Sequence, residues 1–296
     1  MSNEARAYLN AALDTIQRVT LRADTLPWRR IRDSAFVIAA GAQRPIDTYT
    51  AIDWALRRAN KHSFLQARVP GAVSTMLPER VAYVHVPQRG GSSPALPDSL
   101  HRAVASFDSA GACGWIVDLR ANGGGNMWLM LAGIGPLLGD TIVGSFGTGP
   151  NADRWHYRSG VSAILKPGGR LDTASRVTVP PVELRNPDAP IAVLIDSGTG
   201  SSGEAVAIAF QGRPNTRTFG SPSAGFATVN RGAQLPDHAN MVVTVGYNAD
   251  RRGVVYVDQI RPDVRVELPS GWPSPTDRVS AAAAEWLREQ PGCTSP

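Results

Sequence analysis

The chain has 296 residues, 43% hydrophobic and 19% charged, which suffices for one large α/β domain or a large domain with a small one. Its formal charge is +5, yet only two of thirty basic residues are lysines, Lys61 and Lys166. The arginines follow one another along the whole sequence without a basic run interleaved with aromatics, so the reading is an Arg-biased solvated surface and no nucleic-acid groove.

No segment approaches the ~20 continuous apolar residues that a membrane span needs. The opening MSNEARAYLN lacks a basic stretch followed by an apolar one, so no secretory signal is visible. Cys113 and Cys293 have neither metal-ligand spacing nor the pattern of a disulfide framework. The expectation is a soluble cytoplasmic protein, although a mature secreted form would read the same way.

In chain order, residues 3–20 place Tyr8, Leu9, Ala12, Ile16 and Val19 at helical spacing. Helical segments follow at roughly 29–41 and 47–60, entered after Pro27 and Pro45. Residues 1–75 therefore read as a helical subdomain, and 76–296 as an α/β catalytic core. In the core, RVAYVHVP (80–87) is strand-like, LPDSLHRAVASF (96–107) is helical, and GWIVDLR (114–120) is a buried strand entering the glycine-rich ANGGGN. NMWLMLAGIGPLLGD (126–140) is an apolar helix, 146–189 reads as a polar loop, and PIAVLIDS (190–197) is a second buried strand. EAVAIAFQG (204–212) is an apolar helix, and TRTFG, MVVTVGYNA and VVYVD supply further strands. This alternation predicts a parallel or mixed sheet covered on both faces.

Three places could carry chemistry. In DSGTGSSGEAVAIAF (196–210) a buried strand turns through small residues into a buried helix, which presents a serine beside the first helical amides. The same Ser201-Ser202-Gly203-Glu204 also fits a capping box, so nucleophile and helix cap both remain open. DLRANGGGN (118–126) allows close backbone approach, as an oxyanion hole requires, but equally fits a plain strand-to-helix turn. No Lys-Ser or Lys-Thr follows the glycines, which removes the P-loop reading. The third place is ANKHSF (59–64), where His62 is one of five histidines. Among the others, His85 alternates with Val84 and Val86 and could line a cleft, whereas His101, near a helix start, reads as exposed.

Taken together, IVDLRANGGG, SSGEAVAIAFQGRPNTRTFGSPSAG, KHSF and IRPDV resemble, in that order, motifs of the serine peptidase family of C-terminal processing peptidases, tricorn core proteases and retinoid-binding-protein-like domains. The span from about 60 to 264 is similar to the branch without a PDZ domain, since about 18 residues separate His62 from the strand at Arg80. The resemblance implies a crotonase/ClpP-like core of ββα units. It places the nucleophile on Ser201, three residues before Glu204. The lysine of the Ser–Lys branch falls on Phe226, so the resemblance points instead to a His base at His62, although Lys61 stands where that branch has serine. Its acid falls near Tyr256, and the nearest carboxylate, Asp258, is carried over as the triad acid, with Asp250 as competitor. Backbone groups of Ser202 and of Gly123 or Gly124 would form the oxyanion hole, while Asp118 and Arg120 fix the loop.

The function so implied is peptide-bond cleavage through an acyl-enzyme, without metal or organic cofactor. Its partner is a peptide or small acyl substrate. The alternatives are a catalytically silent module binding hydrophobic ligands or peptides, and an esterase or amidase acting on a small metabolite.

Overall fold

The computed structural model describes residues 1–21, 23–60, 63, 65, 74–234, 240–266 and 277–294. It divides into two compact units, Met1–Val69 with Leu268–Arg278, and Pro70–Glu267 with Val279–Pro296.

The first unit is helical, with α1 (Asn3–Val19), α2 (Trp28–Ile38) and α3 (Tyr49–Ala59) at the expected places. Ser2 caps α1 by accepting the Ala5 amide at 3.1 Å, satisfying one of the amides that a helix start leaves without a partner. Leu9, Leu13 and Ile16 from α1, Ile31 and Ala35 from α2, and Ala51, Ile52 and Ala55 from α3 close its core. Arg32 reaches back to Asp14 and Gln17, so α1 and α2 run antiparallel.

The second unit contains two sheets. Strands β1 (Ser74–Leu77), β2 (Val81–His85), β3 (Gly114–Asp118), β8 (Ile191–Ile195), β9 (Thr216–Gly220) and β13 (Val264–Arg265) form the first, in the order β1-β2-β3-β8-β9-β13. All its pairs are parallel except β1–β2. Every residue of β2, β3 and β8 is buried, which is why their sequences are almost uninterrupted apolar runs. Helices α4 (Ala95–Ser109), α5 (Met127–Ile134) and α6 (Ser202–Phe210) follow β2, β3 and β8 respectively. α6 is buried from Gly203 to Phe210, so no polar face interrupts its sequence.

The second sheet is antiparallel. It runs β10 (Thr228–Gln234), β11 (Asn240–Asp250), β4 (Thr141–Phe146), β5 (Asp153–Arg158), β6 (Val161–Leu165), β7 (Leu171–Arg176), with β12 (Val255–Tyr256) against β11. Three of these strands lie in 146–189, which corrects the expectation of a loop there. In β5 the buried Trp155 and Tyr157 alternate with Arg154, His156 and Arg158, so a half-covered strand looks polar overall.

The C-terminal α7 (Arg278–Arg288) is fastened to the core at several points. Arg288 pairs with Glu79, Trp286 lies against Phe219 with ring centroids 5.7 Å apart, and Arg217 lies over the Trp286 ring. Beyond the helix, Cys293 is disulfide-bonded to Cys113 at the entry to β3, with Cα atoms 5.1 Å apart. This corrects the reading that the two cysteines form no pair. The tie closes a loop of 180 positions, so its removal frees a large amount of unfolded-chain entropy. We expect Cys113→Ser with Cys293→Ser to lower stability by about 2–4 kcal/mol, roughly 5–15 °C in Tm. Two thiols titrating in the denatured, unreduced protein would show that the bond is not formed.

Candidate active site

Two loops meet at the carboxyl ends of neighbouring parallel strands, where an open α/β sheet leaves room for a ligand. The first leaves β3 at Asp118. The Asp118 carboxylate is fully buried and accepts Arg120 Nε at 2.9 Å, Arg120 Nη2 at 2.5 Å, the Arg120 amide at 3.0 Å and the Tyr83 hydroxyl at 2.6 Å. Burial alone would raise the Asp118 pKa, but the guanidinium outweighs it and holds the carboxyl below its ordinary value. Arg120 also donates to Ser280 Oγ of α7 at 3.2 Å. Asp118 and Arg120 thus serve the loop's architecture.

The second loop leaves β8, and the two are laced together. Asp196 Oδ1 accepts the amides of Ala121 and Gly198, both at 2.9 Å. Thr199 Oγ1 donates to the Leu119 carbonyl at 2.8 Å. Asn122 donates from its side chain to the Val86 carbonyl at 2.9 Å, accepts the Gly124 amide on Oδ1 at 3.0 Å, and accepts the Gly200 amide on its carbonyl at 3.0 Å. The approach is so close that a Cβ on Gly203 would stand 2.1 Å from the Asn122 carbonyl oxygen. One on Gly124, whose φ is +112°, would stand 2.9 Å from the Ser201 Cβ.

Between this lacing and α6 sits Ser201, exposed, with φ 51° and ψ −119°. A side-chain-bearing residue reaches that conformation only at a cost, and a sharp strand-to-helix turn that lifts a serine clear of the sheet requires it. Ser201 and Glu204 form the capping box that the sequence offered, with Ser201 Oγ facing the Glu204 amide in a contact short of a well-formed hydrogen bond. The Ser202 hydroxyl, by contrast, is committed to the Gly125 carbonyl at 2.7 Å. The Ser202 and Gly123 amides have no hydrogen-bond partner among the described residues, whereas the Gly124 amide is taken by Asn122.

Glu204 does more than cap. Its carboxylate, wholly buried, accepts the Ser201 amide at 3.0 Å, the Ser223 hydroxyl at 2.6 Å, the Gly225 amide at 2.8 Å and the Phe226 amide at 2.7 Å. One side chain therefore sets both the serine turn and the 223–226 turn beside it. Burial pushes the Glu204 carboxyl above its ordinary pKa, and the four donors pull it down without cancelling that effect. Asp196 is likewise raised by burial against its two amide donors.

The remaining candidates separate clearly. His62 lies outside the described residues. His85 is buried beside Asp118 in strand register, and burial pushes its pKa down, so it is a core residue and lines no cleft. His101 is fully buried and accepts the Val182 amide at 3.1 Å, which corrects its reading as exposed. Asp250 is spent on Arg252, the Val254 amide and the Tyr256 hydroxyl. Asp263 is spent on Thr218. Asp258 is exposed, and its Oδ1 lies 3.3 Å from where a Cβ on Gly225 would be. β12 ends at Tyr256, so Asp258 lies beyond the strand, which the sequence placed over the whole of VVYVD. Phe226, where the Ser–Lys branch has its lysine, is 60% exposed and close to Gly200.

Comparison with known proteins agrees with this arrangement. Residues 80–266, well over half the chain, match Peptidase family S41. The chain is 26% identical over 294 residues to the nisin-resistance protein of Lactococcus lactis subsp. lactis, covering 96% of this chain and 87% of that one. It is 27% identical over 168 residues to the carboxy-terminal processing protease CtpA of Bacillus subtilis (strain 168), covering 56% of this chain and 31% of that one. Among solved structures, a lipoprotein from Streptococcus agalactiae shares the fold, with a TM-score of 0.53, 21% identity and 97% of each chain covered. The crossed loops of β3 and β8, the serine lifted between them and the match across the core together make this chain a serine-type peptidase of family S41.

Proposed function

We propose that Ser201 is the nucleophile and His62 the general base of a peptidase that works through an acyl-enzyme. The observation that carries the reading is the exposed Ser201, held in a strained turn at the start of α6 against Gly124 of the glycine loop, with the Ser202 amide beside it open among the described residues. His62 would take the Ser201 proton as the hydroxyl attacks the substrate carbonyl. The developing oxyanion would be held by the amides of Ser202 and Gly123, the first at the positive end of α6. The Gly124 amide is spent on Asn122, so its part is to let the backbone approach. Asp258 would orient the imidazole. It lies beside Gly225, in the turn that Glu204 ties to Ser201.

Glu204 acts as a positioning residue. The expected compartment is an oxidising one outside the cytosol, because the Cys113–Cys293 bond would not persist among reduced thiols. That favours the secreted form over the cytoplasmic expectation, which rested on the absence of a visible signal and of an apolar span as well as on the cysteine pattern. Among the described residues no helix is long and apolar enough to cross a membrane. The Lactococcus relative is named for nisin resistance, so nisin is the first substrate to offer.

A fluorophosphonate probe is expected to modify Ser201, and Ser201→Ala to abolish both labelling and turnover while keeping the fold. An adduct on Ser202, or full turnover in Ser201→Ala, would overturn the assignment. Activity should fall on acidification with an apparent pKa of about 6–7, because only neutral imidazole accepts the proton. His62→Ala should remove that titration together with most turnover. Equal acylation rates in Asp258→Asn and wild type would remove Asp258 from the mechanism. For Glu204→Ala, which strands four donors, we expect a loss of about 3 kcal/mol or more in urea unfolding. Glu204→Gln should retain more stability and lower kcat more than it changes KM. Unaltered kcat in a folded Glu204→Gln would leave Glu204 with a purely structural part.

A further inference from the structure

The charge of the chain is unevenly divided. Residues 1–69 hold eleven Lys and Arg against six Asp and Glu, a surplus equal to the whole +5, and the remaining residues hold nineteen of each. The Arg-biased composition thus divides into a basic N-terminal part and a remainder with no net charge.

Within the helical unit one end stands out. α1 and α2 are antiparallel, and Val19 and Thr20 at the end of α1 line a pocket with Leu56 and Asn60 at the end of α3. The last turn of α1, the first of α2 and the last of α3 therefore lie together. Arg57 is paired with Asp53 at 2.7 Å, and Arg58 lies over the Trp54 ring. Arg18, Arg29 and Arg30 are exposed and have no ion pair among the described residues, although the exposed Asp24 and Asp33 are near them in sequence. Val19 and Leu21 project from the same end, 68% and 77% exposed. Val37, equally bare, belongs to the other end of α2.

Helix stability explains Arg18, Arg57 and Arg58, since cations favour a helix C-terminus. It does not explain Arg29 and Arg30. They occupy the first turn of α2, where the helix dipole is positive; that turn has no acid and no side-chain cap, and Asp33, one turn on, makes no ion pair with either among the described residues. Neither is buried, so packing gives no reason for them. Apolar side chains standing bare beside unpaired arginines are the pattern of an interfacial element, cations on headgroups and apolar tips below them.

We propose that this end of the helical unit docks on an anionic lipid surface, with Arg18, Arg29 and Arg30 on the headgroups and Val19 and Leu21 entering the acyl boundary. The inference is independent of the catalytic assignment.

The test is flotation of the whole protein with phosphatidylcholine vesicles, with and without about one-quarter phosphatidylglycerol. Binding is expected only to the anionic vesicles and is expected to weaken as salt is raised. Arg29→Gln with Arg30→Gln should weaken it about 25-fold, fivefold for each charge removed. Leu21→Asp should weaken it about tenfold or more. Far-UV circular dichroism and thermal unfolding of both variants should match wild type, showing that they fold. Equal binding to neutral vesicles, no binding, or unchanged binding in the arginine variant overturns the proposal. Binding to soluble polyglutamate that depends on the arginines and not on Leu21 would also overturn it, in favour of an acidic polymer.

Discussion

The constraint on which the site depends is that two loops must touch backbone to backbone. The loop after β3 and the loop after β8 meet with the Asn122 carbonyl accepting the Gly200 amide, and no side chain fits between them at Gly203. Everything catalytic hangs on that closeness. It gives Ser201 and the Ser202 amide a fixed neighbour in Gly124. A parallel pair of strands supplies the proximity, because β3 and β8 are adjacent and release their chains at the same edge.

Polar groups hidden beneath the loops keep the contact rigid. Asp118 is neutralised by a guanidinium, while Asp196 and Glu204 rely on amide and hydroxyl donors alone. Each carboxylate ties together segments distant in sequence, so the shape of the serine turn is determined from below. A strained Ser201 persists because its amide is held by Glu204 and its neighbour's hydroxyl by Gly125.

Much of this was legible in the sequence, and the rest was hidden for physical reasons. β2, β3 and β8 announced themselves because burial on both faces leaves no polar position. The strands of 146–189 did not: β7 is an edge strand with a largely exposed LDTASR sequence. Ser201 and the glycine loop were visible through motif order. The S-x-x-E spacing disclosed one partner of Glu204, and the other three lie 19 to 22 residues on, where only the fold brings them back. The strand assumed around Asp258 ends two residues earlier, because pairing with β11 stops at Tyr256. The arginines looked scattered because sequence order does not reveal that the ends of α1 and α3 and the start of α2 coincide.

The bond between Cys113 and Cys293 makes a covalent ring of residues 113–293, and both loops of the site lie inside it. A chain cut once anywhere within that ring stays one molecule. A peptidase exposed to other peptidases, or to further copies of itself, is thereby protected against losing half its site to a single nick. The same ring imposes an order on biogenesis. It cannot close until Cys293 has emerged, so Cys113 must wait as a free thiol through the synthesis of the 180 positions that follow it. During that interval the thiol is open to exchange with other thiols and disulfides, and maturation becomes dependent on the oxidant and isomerase supply where the chain emerges.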